Sequence, residues 1–208
     1  MKPDSIEAKY EILKSLPAYG PMYTPISESG ERFYSEGFVV KFFKKDGTNW
    51  VGNFKEGWTG LNAVYDFNDY NNLLVIAGGT CYIMNPEETK PIMTFGVGYE
   101  TVIKAPKNRL ILQDSTELSI VEANGEIWHT ERISWDGIKE LRVDGQFVKG
   151  LSFNPTSEKG EWVDFVVDLE RRKVKGGSYR QFEVVVEIGK QFKKNWFGKL
   201  LNKIKGRT

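Results

Sequence analysis

The sequence has a single cysteine, Cys81, and a single histidine, His129. One thiol excludes an intrachain disulfide and every metal pattern that needs several thiolates. Cys81 lies in the apolar run GGTCYIMN, where a small hydrophobe is expected to be buried. Long hydrophobic runs are missing too. No stretch approaches the ~18–20 apolar residues of a membrane span, and MKPDSIEAKY lacks the apolar region of a secretory signal. These absences make a soluble, cytoplasmic protein the expectation. There is no P-loop and no G-x-G-x-x-G to cradle phosphate, and no G-x-S-x-G to present a nucleophilic serine.

What chemistry the remaining residues offer is thin. In EIWHTERI, strand alternation places Trp128 and His129 on opposite faces, so an inward Trp128 turns His129 outward. A Ser-His-Asp system would need that imidazole beside an acid and beside a serine on a sharp turn. GGSY, Gly176–Tyr179, lacks the strand-to-helix context of such a turn. YDFNDYNN gathers Asp66, Asn68 and Asp69, but it lacks the glycine and distal glutamate of a calcium loop. Asx-rich turns give the same composition through local hydrogen bonds. No catalytic residue, metal ligand or cofactor is assigned.

Acid is missing from the last stretch, residues 190–208, which holds Lys190, Lys193, Lys194, Lys199, Lys203, Lys205 and Arg207. The whole chain carries +1, so residues 1–189 carry −6 once those seven basic groups are set aside. A mildly acidic body argues against a nucleic-acid-binding face on the main domain. At about 100° per residue, Phe192, Trp196, Phe197, Leu200, Leu201 and Ile204 cover one broad arc of the tail, backed by lysine and asparagine. This predicts a basic amphipathic helix. Three fates suit it. It can dock on the acidic body and cover an open sheet edge, which the charge difference favours. It can lie on a membrane surface with its lysines snorkelling, or it can serve as a free nucleic-acid arm. Phe192, Trp196, Leu200 and Ile204 would form the docking or membrane face.

Hydrophobic residues make up 40% of the 208 and aromatics 13%, enough for a real core. Asp4 and Glu7 form a capping pair, and Ile6, Tyr10, Leu13 and Leu16 recur at helical spacing, so a short helix is expected over 4–16, ended by Pro17. PAYGPMYTPISESGER, with its prolines, reads as an extended connector. From about Phe33 to Ile188 the chain reads as short strands: GFVVKFF, TNWVGNF, NAVYDF, NLLVIAG, TCYIMN, PIMTFG, ETVIKA, RLILQD, ELSIVE, EIWHT, ELRVD, FVKGLSF, WVDFVVDLE and QFEVVVEI. KDGT, ANGE and VDGQ supply the Asp-Gly and Asn-Gly pairs that hairpin turns favour. With no helical stretch to cross over, antiparallel sheets are expected.

Apolar triplets recur thirty-six positions apart, at Phe38-Val39-Val40, Leu74-Val75-Ile76 and Leu110-Ile111-Leu112, with a partial echo at Gln146-Phe147-Val148. That period suits a propeller-like array, with a sandwich or half-open barrel as the alternative. The expected fold is therefore mainly β and antiparallel, propeller-like or a sandwich, with short terminal helices. Residues 1–32 would be helix and connector, 33–189 the all-β domain, and 190–208 the basic helix.

Tryptophan is the most suggestive side chain present. Four of the six are expected in the core, with Trp58 and Trp135 the candidates for exposure because glycine and aspartate surround them. With Asp66, Asp69, Tyr70 and Asp136 they form the candidate partner-contact set.

In the second half, Trp135-Asp136-Gly137, Gly150 to Pro155, Trp162/Phe165/Asp168 and Gly176-Gly177-Ser178-Tyr179 form a spaced pattern. It resembles a segment of uncharacterised bacterial proteins, some of them similar to proteins encoded near polymorphic toxins. The resemblance covers about residues 133–179. It implies an immunity-type role, in which a protein binds and blocks a toxin. Physically the same residues read as scaffold, with Gly176-Gly177 in a tight turn and Tyr179 filling a seam between sheets. Two functions compete. One is a non-catalytic protein-binding module, whose acidity would steer a basic toxin domain. The other is a small hydrolase with carboxylates in a β-domain cleft. A peripheral membrane protein rests on the tail alone.

Overall fold

The computed structural model describes residues 8–19, 22–67, 71–156 and 158–179. Their regular structure is almost entirely strand, in four four-stranded sheets. The first sheet takes β1 (Tyr10–Leu13), β2 (Thr24–Ile26), β3 (Phe38–Phe43) and β4 (Asn49–Phe54) in the order β1-β3-β4-β2. The second runs β5 (Ala63–Phe67), β6 (Asn72–Ala77), β7 (Thr80–Met84), β8 (Met93–Phe95). The third runs β9 (Thr101–Ala105), β10 (Arg109–Gln113), β11 (Leu118–Val121), β12 (Ile127–His129). The fourth runs β13 (Ile138–Asp144), β14 (Phe147–Asn154), β15 (Glu161–Asp168), β16 (Lys173–Gly176). The last three are plain meanders, in which each strand pairs antiparallel with its predecessor.

The thirty-six-residue period has a structural basis. Its triplets fall in β3, β6, β10 and β14, each the second strand of its sheet. The chain divides into two compact units. One holds the described residues up to Asp114 with Leu118–His129, and the other holds Ser115–Glu117 with the described residues from Thr130 onward. The first unit contains three sheets and the second contains one.

In the first unit the middle sheet is buried on both faces. Leu73, Val75 and Ala77 of β6 join Val40, Phe42, Trp50 and Phe54 of the first sheet in one core cluster. Leu74 and Ile76, the alternate residues, join Leu110, Leu112 and Val121 of the third sheet in another. That is why NLLVIA shows no polar alternation: a strand packed on both sides is apolar at every position. Aromatic rings fill the first cluster. Phe42 stacks on Trp50 at 4.4 Å between centroids, and Phe54 meets Tyr82 edge-on at 5.2 Å. Their polar ends are satisfied, with Trp50 Nε1 donating to Pro86 O at 2.8 Å and Tyr82 Oη to Lys55 O at 2.9 Å. Cys81 is fully buried in the second cluster, and burial pushes its thiol well up from the ordinary range, as expected of a packing residue.

The three expected turns form hairpins. Gly47, Gly125 and Gly145 have φ of 83°, 86° and 58° in the β3–β4, β11–β12 and β13–β14 connections. The sheet of the second unit alternates instead, with β14 burying Val148, Gly150, Ser152 and Asn154 between more open neighbours. One face of that strand is packed and the other is half-open.

Three expectations need correction. Tyr10–Leu13, placed in a helix by spacing, is strand β1, in register with β3 from Tyr10↔Phe42 to Leu13↔Val39. A short isolated helix is marginal in water, whereas pairing satisfies the edge of β3 and lets Tyr10 reach the first core cluster. The connector contributes β2, which lies parallel to β4, so the first sheet is mixed rather than antiparallel. Trp162, counted with the core, is 41% exposed, because alternation along β15 puts Phe165 and Val167 inward and Trp162 and Asp164 outward. Every candidate strand within the described residues is present, while QFEVVVEI and the tail lie outside them.

Candidate protein-contact surface

Trp58 is 85% exposed, yet its backbone is fixed. The segment from Gly57 to Leu61 lies directly on the β6–β7 turn. Gly57 N–H donates to Ala77 O, Trp58 N–H to Val97 O, and Thr59 N–H to Gly78 O, each at 3.0 Å. Gly79 N–H returns a bond to Leu61 O at 3.0 Å, and Thr59 Oγ1 donates to Tyr99 O at 2.6 Å. The approach needs glycine, because a Cβ on Gly57 would stand 2.6 Å from both Gly78 O and Val97 O. Asn62 braces the same loop. Its Oδ1 accepts from Gly78 N–H at 2.7 Å and its Nδ2 donates to Glu56 Oε1 at 2.9 Å. A large indole thus stands in solvent on a loop whose backbone is hydrogen-bonded on both sides of it.

Three concavities adjoin one another on this unit. One of about 220 Å³ lies beside Trp58, walled by Glu28, Lys55, Glu56 and Val97. A larger groove of about 620 Å³ shares Glu28 and Ser29 with it and runs between the Thr24–Gly30 and Thr89–Thr94 segments. A third, of about 360 Å³, shares Thr24 and Pro25 with the groove and is walled by Met22, Tyr23, Arg32, Phe33 and Tyr34. Ile92 (58%), Met93 (47%), Met22 and Tyr34 are all exposed along this run. Sequence reading missed these four. Each sits in a proline-bounded or irregular stretch where no periodicity assigns a face; for Met22, Ile92 and Met93 the available signal was large apolar residues beside proline in PMYTP and KPIMTF, and Tyr34 had none.

The carboxylates here are uncommitted. Glu28 Oε1 accepts from Thr80 Oγ1 at 3.2 Å and Glu56 from Asn62, and among the described residues neither forms an ion pair. Both line the concavity beside Trp58, with Lys55 on the same wall. Such an arrangement suits a basic side chain at least as well as it suits acid–base chemistry.

The other sequence candidates separate. Asp66 belongs to β5 and is ion-paired to Lys9 at 2.8 Å, beside Tyr10, whose hydroxyl donates to Val64 O at 3.2 Å. Burial and then the Asp66 charge push the Tyr10 phenol up from its ordinary value. This grouping pins β1 to β5. Asp69 and Tyr70 lie outside the described residues, as do Phe192, Trp196, Leu200 and Ile204. Trp135 and Asp136 belong to the second unit. Among the described residues no group of three or more His, Cys, Asp or Glu is placed to hold a metal ion, and no helix is long and apolar enough to cross a membrane.

His129 is exposed and lies on the strand face opposite buried Trp128, as alternation requires, but its ring turns toward Ser119 and Phe95 rather than away from the sheets. Its Nδ1 lies 2.6 Å from Ser119 Oγ, its direct cross-strand partner, and that Oγ also lies 2.5 Å from Tyr99 Oη. Ser119 is fully buried within the regular strand β11. A serine hydroxyl held from both sides, away from any sharp turn, is a structural bridge rather than a nucleophile.

The spaced pattern of the second unit is a knot of hydrogen bonds. Ser178 Oγ donates to Phe153 O at 2.7 Å and accepts from Trp135 N–H at 3.3 Å, while Ser178 N–H donates to Ser152 Oγ at 2.9 Å. Gly176 and Gly177 have φ of 77° and 90°, and a Cβ on Gly176 would meet Asp164 O at 2.4 Å. Tyr179 packs edge-on against half-buried Trp135 at 4.7 Å, and the Arg132 guanidinium covers both rings. These contacts give the motif a scaffolding role.

No family model matches the sequence, and no curated protein is similar to it. Among solved structures, the N-terminal domain of Nup159 aligns with a TM-score of 0.38 at 9% identity, over 59% of this chain and 35% of that one. A chain from an S. cerevisiae complex of a Dbp5 variant bound to Nup159, a Gle1 variant, IP6 and ADP aligns with a TM-score of 0.37 at 10% identity, over 59% and 34%. This chain therefore aligns with about a third of each of those chains. Likeness at that level assigns no activity or partner.

Proposed function

We propose that this chain is a non-catalytic protein-binding module that meets its partner through the Trp58 face of the first unit. The observation that carries this reading is the combination at Trp58 itself: an indole 85% exposed on a backbone held by consecutive hydrogen bonds. Exposing a large apolar side chain to water gives the isolated protein no packing benefit. A contact residue whose backbone is held in advance saves the loop-ordering part of the cost of association, and tryptophan in such positions supplies a large share of binding energy. The exposed Ile92 and Met93 line the groove that adjoins the Trp58 concavity, and the exposed Met22 and Tyr34 line the concavity beyond that groove.

An immunity-type role is the finer form of this proposal. Its support is the resemblance carried by residues 133–179 and the −6 charge of residues 1–189, which would steer a basic toxin domain toward the protein. The test is capture from a lysate of the source cells with the full chain and with Trp58→Ala. Wild type is expected to retain a stoichiometric partner that the variant loses. Because Trp58 is exposed, the variant's unfolding free energy is expected to stay within about 0.5 kcal/mol of wild type. A partner held equally by both proteins, or none held by wild type, would remove the proposal.

A further inference from the structure

Resting on that reading, we infer that His129 is a pH-sensitive control of the Trp58 face, acting through a buried hydrogen-bond relay to Tyr99. His129 is the single histidine of the chain, and its exposed position is open to protons from solvent. Inward from Nδ1 the relay has two members. Ser119 Oγ lies 2.6 Å away and is fully buried, and Tyr99 Oη lies 2.5 Å beyond it on a residue only 3% exposed. When neutral His129 accepts at Nδ1, the hydrogens run one way: Tyr99 donates to Ser119, and Ser119 donates to His129. A protonated imidazole is a donor at both nitrogens. Ser119 must then accept from His129 and turn its own hydrogen along the chain to Tyr99, which displaces the phenol hydrogen in turn. The reversal takes place away from water, where redirecting a hydrogen bond is most costly.

Tyr99 is also where the Trp58 loop is attached. Its O accepts from Thr59 Oγ1 at 2.6 Å and its N–H donates to Gly79 O at 3.2 Å. Val97, two residues earlier, accepts from Trp58 N–H at 3.0 Å. The Tyr99 ring is boxed in. A Cβ on Gly96 would stand inside its van der Waals surface, and Phe95 meets it edge-on at 6.0 Å. A side chain seated that tightly passes a displacement at its hydroxyl to its own main chain. The groups around the imidazole are mostly uncharged. Phe95 of β8 meets it edge-on at 6.4 Å and Ser119 of β11 bonds it, and neither strand carries a charged side chain. Glu117 and Glu131 stand two positions from Ser119 and His129 in the sequence, and Glu100 follows Tyr99. Tyr99 is the titratable group that the relay itself reaches.

The test uses the full chain and needs no partner. Long-range proton–nitrogen NMR of the one imidazole reads its tautomer, and amide hydrogen exchange reads the loop. At about pH 8 His129 is expected to carry its proton on Nε2, leaving Nδ1 to accept. Between about pH 8 and about pH 5, which bracket the ordinary titration range of imidazole, protection of the Trp58 and Thr59 amides is expected to fall about fivefold beyond the change in intrinsic exchange. The amides of β6 and β7 should not follow. His129→Gln keeps an acceptor but cannot titrate, and Ser119→Ala breaks the relay, so neither variant should show the fall. Circular dichroism confirms that each is folded, and His129→Gln alone suffices if Ser119→Ala is not. A proton on Nδ1 at the higher pH overturns the inference, as does a loop indifferent to pH. So does a fall that persists in His129→Gln or is matched in β6 and β7. If the loop fails to respond while Trp58→Ala still loses the captured partner, the contact face stands and the switch falls. If the loop responds while wild type captures nothing, the contact reading falls alone.

Discussion

Gly79 shows how much a single residue determines here. Its φ is +82°, and a Cβ would stand 2.5 Å from Thr59 Oγ1 and 2.6 Å from Tyr99 O. Its N–H is bonded to Leu61 O, and its own O accepts from Tyr99 N–H at 3.2 Å, so the backbone has no room to move away. Gly79→Ala therefore combines a left-handed conformation with overpacking. We expect a loss of about 2–4 kcal/mol, read as a lower urea midpoint at an unchanged slope. The AGGT turn was visible in the sequence as a turn, but the reason for its second glycine was not. That reason is the loop from Gly57 to Leu61, some twenty positions earlier, lying on top of it. The same loop explains Trp58: its surroundings marked it as exposed, but only the contacts show that its backbone is hydrogen-bonded to Val97 between bonds to the β6–β7 turn.

At the scale of the element, hairpins and strands follow local rules, and their ends are set by side chains that cap turns. Asp168 closes β15. Its carboxylate accepts the N–H groups of Arg171 and Glu170, both at 3.0 Å, and the Gln146 amide at 3.2 Å. The Arg171 N–H first, then Glu170 and Gln146, hold it below the ordinary 3.8. A carboxylate lowered in the folded state contributes stability above its unfolded value, and that contribution disappears as pH falls through the folded value. Between about pH 5 and about pH 3, wild type should therefore lose more thermal stability than Asp168→Asn, which keeps an acceptor but cannot titrate. Differential scanning calorimetry across that range checks it; equal slopes for the two proteins would refute the assignment. The element that sequence misread, β1, failed for a complementary reason. Four residues hold too little local information to choose a state, and the open edge of β3 chose it for them.

At the scale of the molecule, the pattern of burial divides the chain. In the first unit β7, β10 and β11 are buried at every position and β6 at all but its first. In the second, β13, β14 and β15 alternate. Amides in strands packed on both faces are reached only by extensive opening, whereas edge strands exchange through local fraying. Hydrogen exchange should then be slowest in β6, β7, β10 and β11, and fastest in β8, β12 and β16. Comparable protection across all sixteen strands would contradict it.

The sequence by itself determined the all-β class, the strand series, the hairpin turns, the thirty-six-residue spacing and the burial of Cys81. Each depends on neighbours within a few positions or on a regular period, and those are written directly into residue order. Tertiary structure alone decided that residues near the N-terminus join the first sheet, that β2 runs parallel to β4, and that Asp66 is committed to Lys9. It also gathered Glu28, Trp58, Ile92 and Met93 around adjoining concavities. Such groupings join residues tens of positions apart whose local sequences have no period in common. Their proximity is fixed by which sheet edges and loops meet, and no local stretch of the sequence encodes that.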